Sequence, residues 1–265
     1  MTDRRVAIIT GGANGIGQAT AERLAAQGYR VEAWDVDEAA LARCDETIAT
    51  RRIDLAELKQ VEAAVAEVAD CYGRIDVLVN NAIWRELEPI NELSLASWER
   101  TLRVGLTVPA FLTRWVAPHL RDAGGGVVVN ISSIMSRRAG GIAPAYVAAK
   151  GGLDALTGEL SVTYAAWGIR VVGIRPGAVD TSLSRDYGEP AGESVDAMRR
   201  WSCDHIPLGR WARPEEVASL VAYLCSDEAS YLTGTLIDLD GGWSTSHFPA
   251  SLRDGLPRSD DRKTE

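Results

Sequence analysis

Short apolar runs rich in β-branched residues alternate along this chain with longer segments in which apolar residues recur at helical spacing. Such alternation is typical of a parallel sheet whose strands are joined by helices on both faces. Strands are predicted at Val6–Thr10, Arg30–Asp35, Val77–Asn80, Gly126–Ser132, Ile169–Arg175 and Thr235–Asp240. Helices are predicted at Ile16–Gln27, Ala56–Tyr72, Leu95–Arg121, Ala145–Trp167 and Pro214–Cys225. The pattern therefore predicts an α/β fold with a doubly wound parallel sheet.

The apolar strands are spread along the whole chain, and no linker rich in Pro, Gly or Ser separates two halves. Residues 1–245 are therefore predicted to form a single domain. Within it, residues 182–207 are polar, irregular and long for a connection, which is typical of a lid over an active site. Residues 246–265 are polar and charged, and we expect them to form a loose C-terminal tail.

The composition, 46% hydrophobic and 25% charged, is that of a water-soluble globular protein. A formal net charge of −9 gives no basic field that would attract nucleic acid or an anionic membrane. The four cysteines contain no C-x-x-C pair and the three histidines are dispersed, so we expect neither a disulfide framework nor a metal site. Without a signal peptide pattern or a membrane-spanning apolar stretch, the chain is expected to be cytoplasmic.

A glycine-rich segment, Thr10–Gly17, lies between the first predicted strand and the first predicted helix. Glycines there permit a tight turn and a close approach of the backbone to a diphosphate, which the amides at a helix N-terminus attract. The alternative is that the glycines serve chain reversal alone. Under the nucleotide interpretation, the cofactor contacts are Gly11, Asn14, Gly15, Ile16 and Gly17.

Asp35 ends the second predicted strand, eighteen residues after Gly17. A carboxylate at this position accepts hydrogen bonds from the hydroxyls of an adenosine ribose and repels a 2′-phosphate, so the sequence predicts NAD rather than NADP. Without the glycine loop, a solvated strand end would be the better interpretation. Asp54 and Leu55 are predicted to hold the adenine, although Asp54 is equally suited to capping the following helix.

Tyr146 and Lys150 are spaced one helical turn apart, and Ser133 precedes Tyr146 by thirteen residues. A phenol beside a cation is suited to proton transfer, because the positive charge favours the phenolate. The Ser133 hydroxyl, at the end of a strand, is placed to orient a reacting oxygen. Taken alone, Tyr146 and Lys150 could be a pair on the surface, and Ser133 could simply begin a loop. Together in one α/β chain, the three residues predict a catalytic site.

These motifs resemble those of the short-chain dehydrogenase/reductase family over nearly all of residues 1–245. The resemblance rests on Thr10–Gly17, Asn80-Asn81-Ala82, Ser133, the Tyr146/Lys150 pair, Arg175–Thr181 and Gly241-Gly242. It implies a Rossmann-type fold, NAD as cofactor and a homotetramer. It also implies that Ser133 positions the substrate oxygen, that Tyr146 is the acid/base, and that Lys150 binds the nicotinamide ribose and lowers the Tyr146 pKa. Further cofactor contacts are implied at Asn80, Ala82, Pro176, Gly177, Val179 and Thr181.

Two positions depart from the family pattern. Ile83 stands where a glycine usually follows Asn-Asn-Ala, and with Trp84 and Arg85 it is expected to narrow the substrate side of the pocket. Gly105 stands where an asparagine is understood to hold a water of the proton relay. We expect the missing side chain to leave space for a second water and therefore a weakened relay.

The predicted function is hydride transfer between NAD and a secondary alcohol: a sugar, polyol, cyclic diol or hydroxy acid. Arginines suit an anionic group on the substrate, and tryptophans suit a ring. The candidate substrate residues are Trp84, Arg85, Met135, Arg138, Arg185 and Trp243. Two alternatives stay open: reduction of a ketone or 3-oxoacyl substrate by an enzyme of the same family, and a non-catalytic NAD-binding sensor or scaffold.

Overall fold

The computed structural model describes residues 4–185 and 195–252. Its centre is a seven-stranded parallel sheet in the order β3-β2-β1-β4-β5-β6-β7. The strands are β1 Val6–Thr10, β2 Arg30–Asp35, β3 Ile48–Arg52, β4 Val77–Asn80, β5 Gly126–Ile131, β6 Ile169–Pro176 and β7 Leu236–Leu239. The order reverses between β1 and β4, so a crevice forms where their carboxyl ends diverge. This architecture confirms the predicted Rossmann-type fold.

Helices cover both faces of the sheet, because alternate strand residues point to opposite sides. Ala7 and Ile9 pack with the layer that contains α1 and α9, whereas Val6 and Ile8 pack with the layer that contains α3 and α5. The helices are α1 Gly15–Ala26, α2 Glu38–Leu41, α3 Leu58–Tyr72, α4 Leu95–Leu102, α5 Val108–Asp122, α6 Pro144–Tyr164, α7 Ser182–Arg185, α8 Val195–His205 and α9 Pro214–Leu224. Within the described ranges, no helix has both the length and the apolar character needed to span a membrane.

The continuous helix predicted at Leu95–Arg121 is interrupted in the structure. A π-helical turn at Arg103–Thr107 separates α4 from α5. Pro109 explains the change, because it has no amide hydrogen to donate to the carbonyl of Gly105 in a regular α-helical pattern. The wide turn brings the backbone of Gly105 against α6, next to the predicted catalytic residues.

The two segments predicted to be irregular are partly ordered. The predicted lid, residues 182–207, contains α7 and α8, while residues 186–194 lie outside the described part of the chain. In the predicted tail, Ser251 binds Asp204 of α8 through its amide (2.9 Å) and its hydroxyl (2.7 Å). The chain is therefore attached to α8 near Leu252, and residues 253–265 lie outside the description.

Candidate active site

The crevice lies at the carboxyl ends of the strands on both sides of the β1–β4 reversal. Ten predicted contacts line it: Gly11, Asn14, Gly15, Ile16, Asp35, Asp54, Leu55, Ala82, Trp84 and Thr181. Residues that the sequence analysis did not assign to the site also line it, among them Val36, Ile53, Asn81, Arg100 and Val104. The structure therefore brings together residues from six separate chain segments at one edge of the sheet.

The glycine loop has the backbone that a diphosphate requires. Gly11 and Gly15 adopt positive φ angles of 63° and 51°, which glycine tolerates without strain. A Cβ atom on Gly17 would lie 1.9 Å from the carbonyl oxygen of Gly11, so only glycine fits there. No side chain caps the N-terminus of α1, and its first turn has no acidic residue. These amides are available to an anion, and the loop fits a dinucleotide.

Asp35 is anchored to the same loop. Its Oδ2 atom accepts a hydrogen bond from the amide of Ala13 (3.2 Å), and its Oδ1 atom accepts one from the amide of Asp37 (3.1 Å). A cation lies across the sheet from it, because Arg52 on β3 is the register partner of Asp35. The Arg52 Nε atom lies 3.9 Å from Glu38 Oε2, so this guanidinium has a carboxylate partner of its own at the surface.

Asp54 does not cap α3. The helix begins at Leu58 with Glu57 as its N-cap residue, whereas Asp54 accepts a hydrogen bond from the amide of Ala56 (2.9 Å) in a turn before the helix. The capping alternative is therefore wrong. Asp54 also pairs with Arg100 at 3.7 Å. Arg100 comes from α4, and no local pattern in the sequence could have revealed this long-range contact.

Asn80 and Asn81 have different roles in the structure. Asn80 is buried and donates to the side chain of Asn130 (2.8 Å), which in turn donates to Thr157 (2.9 Å). Asn81 lines the crevice and donates to the carbonyls of Thr10 (3.0 Å) and Gly11 (3.1 Å). Asn80, a predicted cofactor contact, therefore does not line the crevice, because its side chain lies in the core, whereas Asn81 does line it.

The segment after β6 contributes one predicted residue to the crevice. Thr181 lines it, and its Cγ2 atom is 3.0 Å from the position that a Cβ on Gly15 would occupy. Pro176 ends β6, Gly177 packs against Asp240, and Val179 is buried in a bridge with Ala212. None of these three residues is among those that line the crevice.

The predicted catalytic residues are assembled where β5 ends and α6 begins. Ser133, Tyr146 and Lys150 are 8%, 8% and 2% exposed. The Ser133 hydroxyl neighbours the Tyr146 phenol and, as a hydrogen-bonding group, lowers its pKa. Lys150 Nζ donates to the carbonyl of Ile131 at 2.6 Å and lies 5.8 Å from the centroid of the Tyr146 ring. The arrangement places a phenol, a hydroxyl and an ammonium in one poorly solvated region.

The electrostatics of this cluster differ from the expectation. Burial raises the pKa of Tyr146, while the Ser133 hydrogen bond and the charge of Arg85 lower it. Burial also lowers the pKa of Lys150 to about 8, against an opposing effect of Asp154. Arg85 is therefore a further positive charge that favours the Tyr146 phenolate, beside the Lys150 ammonium. The Arg85 Cζ atom lies 5.9 Å from the Tyr146 ring centroid.

The two departures from the family pattern contact each other. A Cβ on Gly105 would lie 2.5 Å from Ile83 Cδ1 and 3.1 Å from the Cβ of Ala149. Ile83 therefore fills the space next to Gly105, and the expectation that a second water occupies it is wrong. The isoleucine that was expected to narrow the substrate side instead packs toward α6, although part of it lines the crevice.

The candidate substrate residues are divided between two places. Trp84 lines the crevice. Arg85 donates a hydrogen bond to the carbonyl of Leu183 on α7 at 2.5 Å. Arg138 instead donates to the carbonyl of Trp243, whose ring lies 6.1 Å from that of Trp201 on α8. The Met135 amide donates to Ser133 Oγ at 3.1 Å. The side chain of Arg185 lies outside the described residues.

Known proteins are similar to this chain in sequence and in fold. Residues 11–244 match a sequence family described as enoyl-(acyl carrier protein) reductase. Cis-4-hydroxycyclohexanecarboxylate dehydrogenase from Sinomonas cyclohexanicum is 40% identical over 247 residues, which cover 91% of this chain and 96% of that protein. Cyclohexanol dehydrogenase from Acinetobacter sp. strain SE19 is 35% identical over 251 residues, which cover 92% and 96%.

The structure of ligand-free aldohexose dehydrogenase from Thermoplasma acidophilum is also similar. It gives a TM-score of 0.86 at 30% identity and covers 96% of this chain and 98% of its own. The chain belongs to the short-chain dehydrogenase/reductase family. It is an oxidoreductase that uses a nicotinamide cofactor, as the members of this family do.

Proposed function

We propose that the protein is an NAD-dependent dehydrogenase that oxidises a secondary alcohol, with Tyr146 as the general base. The observation that carries this proposal is the joint burial of Ser133, Tyr146 and Lys150, with Tyr146 one helical turn before Lys150 on α6. Burying these three polar side chains lowers the free energy of unfolding, because their desolvation is costly. A catalytic role explains why the fold nevertheless buries them.

The residues of the cluster have separate tasks in this reaction. Ser133 holds the substrate hydroxyl next to the phenolic oxygen of Tyr146, which takes the hydroxyl proton as the carbonyl group forms. Lys150 supplies positive charge beside the phenolate. When bound, the nicotinamide ring supplies the acceptor for the hydride that leaves the carbinol carbon. The glycine loop, Asp35 and Thr181 would hold the dinucleotide along the crevice.

Asp35 supports NAD as the cofactor rather than NADP. Its carboxylate lines the crevice next to the loop, and a 2′-phosphate there would meet a negative charge. Arg52, the cation nearest to it in the sheet register, lies 3.9 Å from Glu38, so its charge also interacts with that carboxylate. The repulsion between the Asp35 carboxylate and a 2′-phosphate would therefore persist.

For the substrate, we propose a hydroxylated ring, with a carboxylate as the preferred second group. Trp84 offers an apolar face in the crevice, and Arg85 provides positive charge near Tyr146. The relative that is 40% identical is named for a hydroxycyclohexanecarboxylate, which agrees with this combination.

Ketone reduction by the same residues is the second candidate. Because burial raises the Tyr146 pKa, the phenol stays protonated at neutral pH, and a protonated phenol is suited to donating to a developing alkoxide. The matching sequence family is also described as a reductase. Assays in both directions distinguish the two.

The proposal also includes the assembly and the location of the protein, which are a homotetramer and the cytoplasm. Val162 near the end of α6 is 79% exposed, Trp167 in the turn that follows α6 is 38% exposed, and Phe111 on α5 is 38% exposed. Apolar side chains along two neighbouring helices are suited to an interface between copies of the chain. The four cysteines are free thiols, which agrees with a reducing compartment.

The test is to follow NADH absorbance with cis-4-hydroxycyclohexanecarboxylate, cyclohexanol, polyols and aldoses, and in reverse with the matching ketones. Tyr146→Phe should lower kcat about 10³-fold and leave NAD affinity unchanged, because it removes only the transferable proton. Tyr164→Phe, a substitution on the same helix away from the cluster, is the matched control and should retain full activity. An active Tyr146→Phe variant would contradict the proposed role.

A further inference from the structure

Three ionisable side chains follow one another along a single face of α6. Tyr146, Lys150 and Asp154 are spaced four residues apart, so each lies one helical turn from the next. Asp154 is 9% exposed, and the other two are buried more deeply. The mechanism proposed above uses the tyrosine and the lysine, and it leaves the buried carboxylate of Asp154 without a role.

Lys150 has little else in its surroundings to stabilise a charge. Its Nζ atom donates to the carbonyl of Ile131, and the residue beside it in the chain, Ala149, belongs to the apolar contact with Ile83 and Gly105. A charged ammonium removed from water loses its hydration and needs compensation from protein groups. One carbonyl provides only part of that compensation.

Asp154 belongs to a network of alternating charges that reaches the surface. Arg175 Nε donates to Asp154 Oδ2 at 2.8 Å, and Arg175 Nη1 lies 3.4 Å from Asp238 Oδ1. Asp238 in turn pairs with Arg137 at 3.3 Å. Because Arg175 contacts two carboxylates, its single positive charge compensates only part of the Asp154 charge. The Asp154 carboxylate can therefore also act on a second cation. Among the described residues, Asp154 Oδ1 has no hydrogen-bond partner.

We infer that Asp154, held in place by Arg175, is a positioning residue that keeps Lys150 charged in its buried setting. The inference rests on the proposed function for its catalytic consequence, but the coupling of the two side chains exists independently of any substrate. Asp154 favours the ammonium form of Lys150, and the ammonium in turn favours the phenolate of Tyr146. Asp154 therefore acts on the reaction through Lys150 and does not touch the substrate.

The sign of the effect follows from the charges around this turn of α6. The ionisable groups around Lys150 are Tyr146 and Asp154 on α6, Arg175 on β6, Asp238 on β7 and Arg85 after β4. The neutral polar groups are the Ile131 carbonyl at the end of β5 and the hydroxyls of Ser132 and Ser133, which follow it. Burial lowers the pKa of Lys150 to about 8, and Asp154 opposes that shift. Removing the carboxylate should therefore lower the Lys150 pKa further.

Lysine-selective NMR can measure this directly, because the chain contains only three lysines, Lys59, Lys150 and Lys263. With ¹³Cε-labelled lysine, the Lys150 signal is assigned by its loss in Lys150→Met and is titrated in the full-length protein without substrate. In Asp154→Asn, which keeps an oxygen for Arg175, the midpoint should fall by about one pH unit. In Asp238→Asn, which removes the other carboxylate on Arg175, it should move by less than about 0.3 unit.

Kinetics then test the catalytic consequence with NAD and the alcohol identified in the substrate panel. The limb of the kcat profile that rises with pH should move to higher pH by about one unit in Asp154→Asn, which is about a tenfold loss of kcat on that limb. Asp238→Asn should keep the wild-type profile. A Lys150 midpoint that is the same in Asp154→Asn and wild type, or equal shifts in both variants, overturns the inference.

Two further results separate this inference from the proposed function. If the Lys150 midpoint moves but the kcat profile does not, the positioning role is wrong while the role of Tyr146 stands. If Tyr146→Phe is fully active, the proposed function fails, and the titration still decides the Lys150–Asp154 coupling. Should Asp154→Asn not fold, Arg175→Met and the double variant Asp154→Asn/Arg175→Met are compared, and the same downward shift between them is expected.

Discussion

The two halves of the candidate active site are built by different means. The nucleotide half consists of the glycine loop Thr10–Gly17, Asp35 and Asp54, and its key groups are backbone amides and half-exposed carboxylates. The proton-transfer half consists of Ser133, Tyr146 and Lys150, whose key groups are buried side chains surrounded by distant parts of the chain. Geometry of the main chain defines the first half, and charge in a poorly solvated interior defines the second.

The difference teaches what each half controls. A change in the nucleotide half alters how tightly a dinucleotide is held, because it moves amides or removes a hydrogen-bond acceptor. A change in the proton-transfer half alters protonation, and it should appear in kcat and in its pH dependence. Variants in the nucleotide half should therefore spare the pH profile, and variants such as Asp154→Asn should spare dinucleotide affinity.

Gly17→Ala should have the largest effect among the variants that test this separation. Its new Cβ would lie 1.9 Å from the carbonyl oxygen of Gly11, and backbone cannot yield to it cheaply. We expect NAD affinity to fall at least about tenfold and the free energy of unfolding to fall by about 2 kcal/mol. Calorimetric titration with NAD and thermal unfolding measure the two effects.

Gly158→Ala is the matched control for that variant. Gly158 lies inside α6, and a Cβ there meets nothing within 4 Å. Alanine should stabilise the helix by about 0.5–1 kcal/mol and leave NAD affinity unchanged. If Gly17→Ala bound NAD as tightly as Gly158→Ala, main-chain geometry would not define the nucleotide half.

The nucleotide half could largely be predicted from the sequence, because its signals are local. Seven residues after β1 contain the glycine loop, and Asp35 ends the next strand. The predictions for this half failed where a contact joins residues that are far apart in the sequence. The partner of Asp54 is Arg100 on α4, and Asn80 is drawn into the core by Asn130 on β5. No spacing along the chain reports such contacts.

Asp35→Ser should have the next largest effect. It removes the carboxylate that lines the crevice and the repulsion toward a 2′-phosphate, so NAD affinity should fall about tenfold while NADP affinity rises. The rising limb of the kcat profile should stay at its wild-type pH. Initial rates with each dinucleotide across pH provide both quantities.

Asp37→Ser is the control for the change at Asp35. Asp37 caps α2 by accepting from the amide of Ala40 at 3.0 Å, a role that serine also fills, and it does not line the crevice. It should leave the ratio of NADP to NAD affinity unchanged. An equal change of this ratio in both variants would show a general charge effect rather than a specific role for Asp35.

The proton-transfer half was predicted less completely for the same physical reason. The spacing of Tyr146 and Lys150 on one helix is a local signal, and the structure places them as expected. The groups that set their protonation come from elsewhere: Arg85 follows β4, and Arg175 lies on β6. Sequence spacing identified the reacting groups, whereas only the packed structure identified the charges around them.

The contact between Ile83 and Gly105 allows the smallest and most local test. In a helix, replacing glycine with alanine normally stabilises by about 1 kcal/mol, but here the new Cβ would lie 2.5 Å from Ile83 Cδ1. Gly105→Ala should therefore lower the free energy of unfolding by about 1 kcal/mol in the wild-type background. In an Ile83→Val background, which lacks that Cδ1 atom, the same change should be neutral or stabilising.

The difference between the two backgrounds, about 1–2 kcal/mol by chemical denaturation, measures the contact itself. Additive effects would mean that Ile83 does not fill the space beside Gly105, and a water could then reach Ala149 and Lys150. Because a hydrated Lys150 has less need of a buried carboxylate, additivity here would also predict a smaller Lys150 shift in Asp154→Asn. A clear coupling instead means that the interior beside α6 is dry and that its charges depend on one another.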